Sequence, residues 1–137
     1  MRLLIPALLL IVPLSTFSQE KPEKAAEKSA GPWLALVDAG NYGESWDQAA
    51  EFFKSAVTKN SWKQQVASAR SQTGKFKSRS LKSAQYSESL PNAPAGKYVV
   101  IQYDSSSDTG SWIETVVMMQ QKDGSWKTSG YFVKPAK

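Results

Sequence analysis

The sequence predicts an α+β domain of about three N-terminal helices packed on a curved antiparallel sheet of about four strands. Three observations carry this. Apolar residues recur at helical spacing up to Gly74. Beyond it the pattern changes to short runs of strand formers divided by Gly, Pro and Ser. Asp123-Gly124 then sits between two such runs as a hairpin signal. Helices first and antiparallel strands after make two layers, with the helices on one sheet face. The chain has 137 residues, enough for one domain and a leader.

Residues 1–18 read as a secretory signal peptide. Arg2 gives the positive start, an apolar run covers residues 3–14, and Thr16 and Ser18 are the small residues before a cut at Gln19. The run is about 12 residues, whereas a spanning helix needs about 20. No Cys follows it, so lipid anchoring is excluded. The expectation is export, with the periplasm ahead of secretion and no integral membrane span after leader cleavage. Residues 19–31 alternate Glu and Lys around Pro22 and read as a polar tether that turns helical near Ala25. Residues 32–134 are then a single α+β domain.

The helices come first. Trp33, Leu36 and Val37 share a helical face, and Gly40 and Gly43 end that helix. Ser45 to Gln48 has the form of a capping box, followed by Trp46, Ala50, Phe53 and Val57 as one stripe. Ser61 to Gln64 repeats the box, with Trp62, Val66 and Ala69 as the next stripe and Gly74 as its stop. Strands follow: a weak, Ser-rich one over 76–86, then 97–104, 112–121 and 126–133.

A two-residue turn at Asp123-Gly124 sets Lys122 opposite Ser125, Val117 opposite Gly130 and Val116 opposite Tyr131. One face then carries Thr115, Val117, Met119, Trp126, Thr128 and Phe132, and this is the expected helix-packed face. The other carries Glu114, Val116, Met118, Lys127, Ser129 and Tyr131. A bulge would overturn the assignment.

An ordered series of short motifs runs along the chain. It starts with Trp33-Leu34-Ala35-Leu36-Val37-Asp38 and Asn41-Tyr42-Gly43-Glu44-Ser45-Trp46, then Trp62, Arg70, Gly74 and Arg79. Leu90-Pro91-Asn92-Ala93-Pro94, Glu114-Thr115-Val116, Asp123-Gly124-Ser125-Trp126-Lys127 and Gly130-Tyr131-Phe132 complete it. The series resembles the bacterial exported family known as domain of unknown function 4019, over about residues 30 to 134. The resemblance implies a cystatin-like or nuclear-transport-factor-like roll, and it implies no catalytic residues. Asn92 and Ala95 stand where the family pattern carries Gly and Asp.

The chain has no His and no Cys. That excludes disulfides, imidazole or thiolate metal sites, Cys nucleophiles and Ser-His-Asp triads. Asp108-Thr109-Gly110-Ser111 spells an aspartic-protease fragment, but Ser106-Ser107 precede it where apolar residues belong. The same stretch fails as a calcium loop, because Thr115 stands where the bidentate Glu is needed. Both read as a loop. No serine-nucleophile motif is present, and the Ser-rich stretches read as solubility. No cofactor and no metal is expected.

Residues 52–87 contain eight basic residues and no acid. Lys75, Lys77 and Arg79 alternate, so a strand would set them on one face toward an anionic partner such as an envelope component. The plainer reading is a solvated edge strand guarded by lysines. Nucleic acid is not expected, since no recognition motif appears. Glu114 interrupts an apolar strand, and a buried carboxylate there needs a partner. Arg70 and Arg79 are the candidates, with Arg79 preferred. Tyr103, Trp112 and Tyr131 would line a ligand cavity with Arg79 and Glu114. The functional expectation is non-catalytic binding of a small ligand or envelope partner. An enzyme using Glu114 as base, and a structural or assembly subunit, are the alternatives.

Overall fold

A computed structural model describes residues 20–137. The reading of residues 1–18 as a leader therefore lies outside the described residues. Four helices precede four strands: α1 Pro22–Asp38, α2 Tyr42–Asp47, α3 Glu51–Ala56, α4 Lys59–Thr73, then β1 Phe76–Ser87, β2 Tyr98–Ser107, β3 Gly110–Gln120 and β4 Trp126–Pro135. The strands form one antiparallel meander in the order β1-β2-β3-β4. The α+β architecture and the four-stranded sheet match the sequence expectation.

The helix layer departs from it in three places. The segment expected as a polar tether turning helical near Ala25, residues 19–31, is helical already from Pro22 and supplies the first turns of α1. Ala26 and Ala30 are fully buried there and extend the stripe of Trp33, Leu34 and Val37. The small faces let the helix lie close on the core while Glu and Lys stay in water, so mixed charge masked an amphipathic helix. The helix also runs through Pro32, where a boundary was expected. The second expected helix is two short ones, α2 and α3. The break lets the Ala50 N–H bond the Thr128 carbonyl at 2.8 Å and pins the helix layer to β4.

Neither Ser pair forms a capping box. The cap of α4 is Thr58, whose hydroxyl accepts from the Ser61 N–H at 3.2 Å. Ser45 lies inside α2, is fully buried and joins two tryptophans. The Trp33 indole donates to its carbonyl and the Trp62 indole to its hydroxyl, each at 2.9 Å, while that hydroxyl donates to the Tyr42 carbonyl at 2.6 Å. Around this hub, Phe53 meets Trp62 edge-on at 5.1 Å, and Trp33 lies 5.6 Å from the Tyr131 ring.

The β3–β4 register differs from the expected one in two steps that cancel. Gly124 takes φ 87° while Asp123 keeps negative φ, so the loop is one residue longer than a two-residue turn. The Gln121 N–H bonds the Ser125 carbonyl at 2.7 Å, and Gln120 pairs Trp126. A bulge beside Val117 and Met118 then adds one residue to β4. Val117 therefore still faces Gly130, and Val116 still faces Tyr131. Between turn and bulge the parity is inverted. Trp126 and Thr128 thus join Glu114, Val116, Met118 and Tyr131 against the helices. Of the expected helix-packed face, Trp126 and Thr128 do pack on the helices, whereas Thr115, Val117, Met119 and Phe132 lie on the outer face, with Phe132 63% exposed.

Candidate functional site

The polar centre of the molecule lies where β1, β2 and β3 meet the C-terminal ends of α1 and α4. Glu114 enters from β3, fully buried. Arg79 from β1 grips it with two bonds, Nε to Oε1 at 2.6 Å and Nη2 to Oε2 at 3.0 Å. The Ser105 hydroxyl donates to Oε1 at 2.6 Å and the Tyr131 hydroxyl to Oε2. The expected pairing of Arg79 with Glu114 is thus present, in bidentate form.

Two further residues complete the cluster. Asp38, the last residue of α1, accepts from Arg79 Nη1 at 2.9 Å and Nη2 at 3.1 Å. It also pairs with Arg70 Nη1 at 2.9 Å. Arg70 projects from the last turn of α4, and its Nη2 lies 3.5 Å from Glu114 Oε2. Two guanidiniums and two carboxylates cancel in charge. Phe76 lies under Arg70, 4.5 Å from ring centre to guanidinium carbon, and Tyr131 flanks it at 5.6 Å. Burial works against the Asp38 charge, but hydrogen bonds and attraction from Arg79 and Arg70 outweigh it and lower its pKa below the usual carboxylate value. Burial, reinforced by the Glu114 charge, pushes the Tyr131 phenol up, so it remains a donor. Burial also raises Tyr103.

Of the expected cavity residues, the fold brings Arg79, Glu114 and Tyr131 into direct contact. Tyr103 stands at their edge, 5.9 Å from the Arg79 guanidinium. Trp112 does not join them; its indole donates to Ser107 at 2.9 Å. Arg79 does not share an exposed face with Lys75 and Lys77 as the alternation implied. A bulge makes Lys77 the unpaired residue between Phe76 and Ser78 and turns both Phe76 and Arg79 inward. Lys77 is left exposed, 3.5 Å from Asp108. The Ser-rich stretch is also more than a solubilising loop. Ser105 holds Glu114, and Ser107 bonds the Thr73 carbonyl at 2.5 Å.

Asp38 is the member that sequence reasoning missed. A signal was present: an acid in the last turn of a helix opposes the macrodipole, so it implies a nearby cation. With four donors on its two oxygens, Glu114 has no free lone pair aimed at a substrate. Chemically the arrangement can bind and position, and proton abstraction by Glu114 is closed off. Among the described residues no helix is long and apolar enough to cross a membrane.

No curated protein matches the chain. Among solved structures, a 2.5 Å structure from Catenulispora acidiphila is similar at 10% identity, covering 81% of this chain and 88% of its own, with a TM-score of 0.50. At that identity the likeness concerns the fold alone. The model of a family described as protein of unknown function (DUF4019) matches residues 29–131, a span that runs from within α1 into β4 and encloses Asp38, Arg70, Arg79, Glu114 and Tyr131. The chain belongs to that family.

Proposed function

We propose that this chain is an exported domain that acts by non-catalytic binding of a small ligand or an anionic cell-envelope partner, on a cystatin-like or nuclear-transport-factor-like roll. The observation that carries the reading is the saturation of Glu114 by Arg79, Ser105 and Tyr131. A carboxylate base needs a free oxygen and no neutralising cation, and Glu114 has neither. Export to the periplasm rests on Arg2, the apolar run over 3–14 and the small residues before Gln19. Native mass spectrometry of protein purified from its own envelope tests both parts. A chain beginning at Gln19 with a retained small mass is expected. A bare monomer with an intact leader contradicts it.

A second reading, a structural or assembly subunit, has one observation in its favour. Phe132 stands 63% exposed beside an apolar hollow of about 430 Å³ on the outer sheet face, with Phe52, Leu90 and Val117 in its walls. That reading predicts stable oligomers in the same spectra.

A further inference from the structure

We propose that the cleft beside Arg70 binds the oxyanion of a small ligand, a carboxylate or phosphate group held by Arg70 and Lys75. The proposal rests on the binding reading above and gives it a place and a ligand chemistry.

The cleft opens between the end of α1, the end of α4 and the start of β1, with a volume of about 350 Å³. Val37, Asp38, Tyr42, Arg70, Lys75 and Phe76 line it, and the Asp38 carboxylate there is held by Arg70 and Arg79. That volume suits one small molecule or head group. Arg70 is only 8% exposed, and its Nε and Nη2 have no hydrogen-bond acceptor among the described residues. Buried donors are satisfied in nearly all folded proteins, so two on one guanidinium call for an acceptor. The protein's own carboxylates do not supply it. Asp38 takes Nη1, and Glu114 Oε2, already holding Arg79 and Tyr131, stays 3.5 Å from Nη2.

Charge points the same way. The Arg70, Arg79, Asp38 and Glu114 charges cancel. Asp108, which accepts from the Lys75 backbone N–H at 3.3 Å, is paired with Lys77. The Lys75 ammonium, which has no salt bridge among the described residues, therefore leaves the cleft positive. Guanidinium binds a carboxylate or phosphate through paired N–H donors, and the ammonium adds a point charge. The Phe76 ring against Arg70 keeps water from one face of the guanidinium. Val37 and Phe76 give the ligand's remaining atoms an apolar wall. The ligand class is therefore a small acid with a compact apolar body, or a phosphate head group.

The test is an NMR titration of the full chain with sodium phosphate and with sodium butyrate, against sodium chloride at matched ionic strength. The Arg70 Nε–H and the amides of Lys75 and Phe76 are followed. A saturable shift is expected with at least one of the two anions and not with chloride. Affinity should fall about tenfold or more in Lys75→Ala and vanish in Arg70→Lys. Lys75 is exposed, so its variant folds even if the Arg70 variant does not. No saturable shift up to tens of millimolar, an equal shift in chloride, or unchanged affinity in Lys75→Ala overturns the site. If native spectra still show a retained mass in Lys75→Ala while the titration is silent, binding occurs elsewhere and only this site falls. With neither mass nor shift, the binding reading falls too.

Discussion

Glu114 is fully buried, so its energetic role is set by its partners. Glu114→Gln keeps the shape and removes the charge facing Arg79 and Arg70. Breaking one side of such a pair leaves buried positive charge uncompensated, so a loss of about 3 kcal/mol in urea unfolding is expected. A loss under about 0.5 kcal/mol would mean that the carboxylate is not held as described. Ser45→Ala removes the acceptor of the buried Trp62 indole N–H, which should cost about 1–3 kcal/mol by the same measurement. Asp38 sets an acid dependence. Its folded pKa lies below the ordinary 3.8, so its contribution is present above that value. It is lost as pH falls, because the unfolded chain takes the proton first. Asp38→Asn should therefore flatten the decline in stability below about pH 4. An unchanged acid slope would contradict the pairing with Arg79 and Arg70.

At the scale of elements, legibility followed periodicity and failed at irregularities. The stripes through Trp33 and Trp62, the stop at Gly74 and the strands after it were readable, because burial on one face leaves a period in the sequence. The bulges at Lys77 and in β4 left no such trace. Each inserts one residue and inverts the faces beside it, which misplaced Arg79 in one case and parted Trp126 and Thr128 from the face of Val117 and Phe132 in the other. The pairing of Glu114 with Arg79 was readable all the same, since a lone acid in an apolar strand demands a cation and the arginines are few. Asp38 and the role of Ser45 were not, because both depend on where separate helices meet. Two element-level outcomes follow. Gly74 caps α4 at φ 69°, and an added Cβ would meet the Asp108 Cβ at 3.3 Å. Gly74→Ala should cost about 1–2 kcal/mol, seen as a lowered melting temperature. A chain starting at Gly31 loses the buried Ala26 and Ala30 and should melt lower; an unchanged melting temperature would restore the tether reading.

Over the whole molecule, one apolar core and one polar cluster divide the space between helices and sheet. Tryptophans and Ser45 hold the upper part, while Asp38, Arg70, Arg79 and Glu114 tie the ends of α1 and α4 to three strands. The cluster is neutral as a set, which is how four ionised groups are tolerated at the base of a small domain. It also leaves Arg70 with donors to spare beside a cleft, so the same device that closes the fold can receive a ligand. The account stands on Glu114 being locked by Arg79 instead of free for chemistry. A double-mutant cycle of Arg79→Gln and Glu114→Gln in urea unfolding tests this most directly. The account predicts a coupling of about 2–3 kcal/mol between the two positions. Additive losses, with coupling below about 0.5 kcal/mol, would contradict it.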